Sequence, residues 1–347
     1  MVGPTQEMNE IEVSQFLETF LRRVDRSEFN LIHLGNYEIA GVNCAFLTNL
    51  NGIFAQYISK AFLKSTIVGK GEFHWIIWED EEFWNSKECF EIRTHLRSQC
   101  VVSKQRGTQF HFAHHPYEGM IYLREYGTDV IYILLAPEPV RNLATFVTPF
   151  RVAVDWIAQD FGGMAIHASV IVKDEVGILL NGPSGSGKST MGALALAGNY
   201  QILADDVVVA KKNKLFAVYS HAKLDHMIAR SFFPSLEFFE LPRDSQGKMI
   251  LNLNSIGTSF RRTCSLKALV FPQITEAISF RRITNSESLR LMAPNTMREL
   301  LGGNSKSLSI MRNIIENAPS YQLFLNSNIE EGFSALEELI SSEMKDD

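Results

Sequence analysis

One octapeptide carries recognisable chemistry: Gly182-Pro183-Ser184-Gly185-Ser186-Gly187-Lys188-Ser189. Two glycines at fixed spacing followed by Lys and Ser form the pattern of a phosphate-binding loop. The reason is geometric. Consecutive backbone N–H groups must point inward around phosphate oxygens, and side chains at the glycine positions would block that approach. Lys188 supplies a point charge for the terminal phosphates of a nucleoside triphosphate such as ATP, and Ser189 places its hydroxyl on Mg²⁺. The buried-type run Gly177-Ile178-Leu179-Leu180 enters the loop. Lys188 to Ala197, with Thr190 in its first turn, reads as the helix that leaves it. Unpaired N–H groups and the dipole at such a helix start favour an anion.

Two further features frame the loop. Asp205-Asp206 follows the apolar run Ile202-Leu203, and His167 lies on the strand-like segment before the loop. Adjacent carboxylates near bound phosphates serve two tasks: one holds Mg²⁺, the other accepts a proton from an attacking hydroxyl. Side chains alternate along a strand, so for both to reach one site the strand must end or bend at the pair.

The segment from Gly163 to Ala210 resembles the nucleotide core of the HPr kinase/phosphorylase and phosphoenolpyruvate carboxykinase group. The resemblance rests on Ile166-His167-Ala168-Ser169, on Asn181 to Thr190, and on Leu203-Ala204-Asp205-Asp206. It implies that Lys188 and the loop amides bind the β- and γ-phosphates, and that Ser189 with Asp205 or Asp206 positions Mg²⁺. It also implies a metal or phosphate contact for His167 and a hydroxyl-activating base in one of the two aspartates. Thr190 stands where HPr kinases carry an acidic residue. The resemblance therefore points to the HPr-kinase-related group, whose members phosphorylate free serine or serines of precursor peptides such as those of lasso peptides. Oligomers are frequent there, so a homo-oligomer is one expected state.

These residues need elements to hold them. Ala165 to Val172 and Val176 to Asn181 read as two strands around the turn Lys173-Asp174-Glu175. Thr148-Pro149 reads as a helix start, with Thr as N-cap and Pro at the first position. Phe150, Val154, Ile157 and Phe161 supply its apolar face, and Gly162-Gly163 its end. Upstream, Val13, Phe16, Leu17, Phe20, Leu21 and Val24 recur at helical spacing. Strand-like runs follow, including Phe73 to Trp78 and a hairpin across Tyr126-Gly127-Thr128-Asp129. Ile329, Phe333, Leu336 and Leu339 mark a C-terminal amphipathic helix. The expected architecture is α/β (α+β overall). A strand-rich mixed domain over 1–147, suited to substrate recognition, precedes a P-loop-containing HPr kinase/PEP carboxykinase-like domain over 148–347.

Composition sets the bounds. The chain has 347 residues, 46% of them hydrophobic, with 39 acidic against 33 basic residues for a net charge of −6. That balance argues against holding long nucleic acid. No apolar run reaches the roughly 18 residues a membrane span needs, and Met1 to Glu10 does not read as a signal peptide. Cys44, Cys89, Cys100 and Cys264 show no CxxC pairing, which suits a reducing cytoplasm. Lys248 in a turn-like segment, Arg261-Arg262 and Arg281-Arg282 are secondary candidates for phosphate contacts. His111, His114 and His115 lack the ligand pattern of a zinc site, and Gly302-Gly303-Asn304 lacks the lysine of a phosphate loop.

The expected activity is ATP-dependent phosphoryl transfer to a serine-type hydroxyl of a peptide or protein. A small hydroxyl metabolite is the alternative acceptor. A nucleotide-binding regulatory module without transfer chemistry is the alternative from another class.

Overall fold

The computed structural model describes residues 10–25, 31–66, 72–96, 100–105, 108–138, 147–198, 200–234, 236, 238–239, 248–300 and 305–344. The chain is mixed α/β, with two mixed sheets. It divides into two units: Met1–Glu38, Val42–Ser59 and Lys64–Phe146 form one, and Ile39–Gly41, Lys60–Leu63 and Val147–Asp347 form the other. Among the described residues, no helix is long and apolar enough to cross a membrane.

The N-terminal elements are α1 (Glu10–Asp25), β1 (Ile32–Ile39), β2 (Val42–Thr48), α2 (Gly52–Ala61), β3 (Phe73–Glu79), α3 (Glu81–Trp84) and α4 (Lys87–Leu96). They continue with β4 (Cys100–Gln105), β5 (Thr108–His115), β6 (Met120–Glu125) and β7 (Val130–Leu135). Seven strands lie in the order β1-β2-β3-β7-β6-β5-β4. The strand β3 runs parallel to β2 and β7, while β4 to β7 form an antiparallel meander. The apolar stripe of α1 buries Phe16 and Phe20 against Phe83 and Trp78, with ring centroids 5.7 and 4.8 Å apart.

The second unit holds α5 (Arg151–Asp160), β8 (Met164–Lys173), β9 (Val176–Asn181), α6 (Lys188–Ala197), β10 (Gln201–Lys211), β11 (Lys214–Ala217), β12 (His221–Asp225), α7 (His226–Phe232), β13 (Phe238–Phe239) and β14 (Lys248–Asn252). After a 3₁₀ segment, Leu253–Ser259, come β15 (Thr263–Ile274), β16 (Ser279–Ile283), α8 (Asn285–Leu300), α9 (Ser305–Glu316), β17 (Ser320–Leu325) and α10 (Ile329–Met344). Nine of its ten strands follow the order β13-β14-β12-β10-β8-β9-β15-β17-β16, and β11 pairs with β10 and β15. The pairs β9–β15, β15–β17 and β10–β12 are parallel. The central strands are buried, with Ile166, Val170, Leu179, Val208 and Leu269 all inaccessible, which explains their near-continuous apolar runs.

Three local expectations change. Thr148 does not cap a helix. The helix α5 starts at Arg151, after Phe150 in a left-handed conformation (φ 63°) with no side-chain cap, and the Thr148 hydroxyl turns to Asp206 instead. The strand carrying Asp205-Asp206 does not end there; β10 continues to Lys211. Lys248 lies on a strand, opposite Asp225, while 244–247 falls outside the described residues, as does Gly302-Gly303-Asn304.

Candidate functional site

The strand β9 is held between β8 and β15 and delivers Asn181, fully buried, to the mouth of the loop. Gly185 and Gly187 take φ of 80° and 98°, values that L side chains rarely adopt. At Gly182 the reason for glycine is space: a Cβ would stand 2.8 Å from Ser186 Oγ. The loop closes on itself through Ser186 N donating to the Pro183 carbonyl at 3.2 Å. Lys188 is buried and donates its Nζ to the carbonyls of Gly182 and Pro183, at 2.7 and 3.0 Å. Its ammonium therefore lies inside the loop's curve. Ser186 Oγ is buried with no hydrogen-bond partner, a donor suited to a phosphate oxygen. Pro183, Ser184 and Gly185 form the exposed crest. Asn181 Nδ2 donates to the His167 carbonyl at 2.8 Å and ties the start of the loop to β8.

Asp205 and Asp206 both lie on β10, yet their environments differ. Asp205 is 4% exposed. Its Oδ2 accepts the backbone N–H of Lys223 on β12 at 3.0 Å, a bond that the parallel register Asp205↔Ala222 delivers. Burial pushes the Asp205 carboxyl above its usual range, and the neighbouring Asp206 charge adds to this. The Ser189 hydroxyl bond, the Lys223 N–H and the Lys248 charge pull the other way. Ser189, the last residue of the octapeptide, is thus among the groups that act on the Asp205 carboxyl.

Asp206 is gathered in by four side chains. His167 Nδ1 lies 3.0 Å from Oδ1. Oδ2 accepts from the Thr148 hydroxyl at 2.8 Å, from Arg151 Nη2 at 3.1 Å and from Lys223 Nζ at 3.2 Å. Burial alone would raise this carboxyl, but Arg151, Lys223 and His167 together hold it well below the usual carboxylate range. Its φ of 145° is unusual for a residue with a side chain. That distortion lets adjacent residues on an unbroken strand serve one region.

The structure therefore brings together Gly182 to Ser189, His167, Asp205 and Asp206; Thr190 sits half-buried in the first turn of α6. It adds Thr148, Arg151 and Lys223, which the sequence reading missed. Arg151 carries one usable signal. A cation in the first turn of a helix opposes the dipole, so it calls for a nearby carboxylate. Lys223 shows no such signal: its short strand, His221–Asp225, also carries His221 and Asp225.

Of the secondary candidates, Lys248 acts on Asp205, whereas Arg261 and Arg281 lie in other pairings. Arg261 bonds Glu175 at 2.7 Å and Gln201 at 2.7 Å. Arg281 bonds Glu287 and Gln322. His114 Nδ1 lies 3.0 Å from the Arg93 carbonyl. Among the described residues, no three His, Cys, Asp or Glu side chains form a metal cluster, and Cys44, Cys89 and Cys264 are buried free thiols.

No protein-family model matches the chain. No curated protein matches it either. Among solved structures, the HPr(Ser) kinase/phosphatase from Coxiella burnetii aligns with 52% of this chain and 97% of its own, at 12% identity and a TM-score of 0.28.

Proposed function

We propose that the chain is an ATP- and Mg²⁺-dependent phosphotransferase acting on a serine-type hydroxyl of a peptide or protein. One observation carries this: the loop holds a buried ammonium, Lys188 Nζ, against the carbonyls of Gly182 and Pro183, beside the buried and unpartnered hydroxyl of Ser186. The donor set suits Mg²⁺, a hard cation that takes oxygen ligands, few of them from protein. Ser189 and Asp205 would hold it, and it would offset phosphate charge during transfer.

The chain's own groups supply the rest. Lys188 and the loop N–H groups bind the terminal phosphates. The acceptor oxygen forms a bond to the γ-phosphorus as the bond from that phosphorus to the β–γ bridging oxygen breaks, and the electron pair leaves with ADP. The acceptor's proton passes to a carboxylate. The seven-stranded N-terminal sheet is more surface than a small acceptor requires, which favours a peptide or protein.

Incubation with γ-labelled ATP, seryl peptides and free serine tests the reading. Phosphoserine in peptide supports it. Label in free serine alone points to a small-molecule kinase, and tight ATP binding with no transferred label points to a regulatory module.

A further inference from the structure

The four groups on Asp206 bear on where a divalent cation sits. A carboxylate offers about four lone-pair directions. Here His167 faces Oδ1, while Thr148, Arg151 and Lys223 converge on Oδ2. Two of these partners are permanent cations anchored from separate elements. Arg151 is fixed further by its Nε bond to the Thr148 carbonyl at 3.2 Å and its Nη2 bond to the Thr148 hydroxyl at 2.8 Å. Lys223 is fixed by its own backbone, which donates to Asp205. Three donors fill Oδ2, so a metal on Asp206 would have to approach Oδ1 past His167 and lie beside two fixed positive charges.

Asp205 is the opposite case. Its Oδ2 accepts a backbone N–H, that of Lys223, and no cationic side chain among the described residues is bonded to it. The Ser189 hydroxyl rotates, and it can present a lone pair to a cation shared with the carboxylate.

We propose that Asp206 is a positioning residue rather than a metal ligand, and that Arg151 and Lys223 stand in place of a second metal ion at this site. This rests on the nucleotide-binding reading above. The chain then binds a single divalent cation, at Ser189 and Asp205. Asp206 aims the guanidinium and the ammonium, and these fixed charges face the phosphoryl group without any dependence on metal concentration. His167 belongs to the same arrangement, with its Nδ1 3.0 Å from the other oxygen of Asp206.

Counting Mn²⁺ tests this without any turnover. The wild-type chain is titrated with Mn²⁺ in the presence of ADP, and free Mn²⁺ is followed by electron paramagnetic resonance. A single bound Mn²⁺ per chain is expected. Asp205→Asn is expected to lower its affinity at least about 10-fold, and Asp206→Asn to leave it nearly unchanged. Should Asp206→Asn unfold, the double variant Arg151→Gln/Asp206→Asn removes one charge of each sign and must still bind one Mn²⁺. Two bound ions in the wild type, or loss of the ion in the Asp206 variants, overturns the proposal while leaving the nucleotide reading intact. Failure of the wild type to bind ADP with Mn²⁺ overturns that reading, and this proposal with it.

Discussion

Asp205 and Asp206 are adjacent on β10, and one residue holds both: Lys223 gives its backbone N–H to Asp205 at 3.0 Å and its ammonium to Asp206 at 3.2 Å. The two carboxylates therefore share a support and differ in charge environment. Asp205 is buried with a neutral backbone N–H as its donor. Asp206 is buried among cations.

That difference gives opposite stability effects. Asp206→Asn leaves Arg151 and Lys223 without their carboxylate and is expected to cost about 3 kcal/mol. Asp205→Asn removes a charge that burial disfavours, so at pH 8 it is expected to leave stability unchanged or raise it. Urea denaturation of both variants checks this, and equal losses would contradict the assignment.

Thr148 separates two structural roles in one substitution. As a helix cap, Thr148→Asp would be harmless, since Asp caps at least as well as Thr. With the Thr148 hydroxyl on Asp206 at 2.8 Å, Asp instead sets one carboxylate against another. A lowered melting temperature for Thr148→Asp is expected, with a loss of about 1 kcal/mol for Thr148→Val.

Much of the site is legible in local sequence because its parts are local. The limits of β9 and α6 follow from a short apolar run, three glycines and a helix-forming stretch. The hairpin of β6 and β7 follows from alternation around Tyr126-Gly127 in the same way. What is not legible comes from distant pairing. Lys223 reaches Asp206 only because β12 lies parallel to β10. Thr148 looks like a cap because its competing partner is 58 positions away. β10 continues through Asp206 with φ at 145°, where side-chain alternation alone leaves ending and bending as alternatives.

The loop itself is tested at Gly182. A methyl group there would meet Ser186 Oγ at 2.8 Å and Ser186 Cβ at 3.3 Å, so the Ser186 hydroxyl must turn out of its place in the loop. Gly182→Ala is expected to keep the wild-type circular dichroism spectrum and lose most of its affinity for MgATP. Unchanged affinity would show that the cradle tolerates a side chain.

A pH effect arises away from the site. Asp155 is buried on α5, accepts the Ala165 N–H at 3.0 Å and the Gln159 amide at 2.6 Å, and burial pushes its carboxyl up to about 6. The folded state thus holds this proton more tightly than the unfolded chain does. The associated stability is present below about pH 4 and is lost as pH rises through about 6, by up to about 3 kcal/mol. Asp155→Asn is expected to lack this component in denaturation curves from pH 4 to 8. A variant with the wild-type pH slope would place the titration elsewhere.

Titration calorimetry with MgATP addresses the site as a whole, comparing the wild type with Lys188→Met and Asp205→Asn, each verified as folded by its melting curve. Binding by the wild type, sharp loss with Lys188→Met, and loss of the Mg²⁺-dependent part with Asp205→Asn are expected. Absence of MgATP binding by the wild type, or equal affinity in all three proteins, would contradict a nucleotide site built from the loop, Ser189 and Asp205.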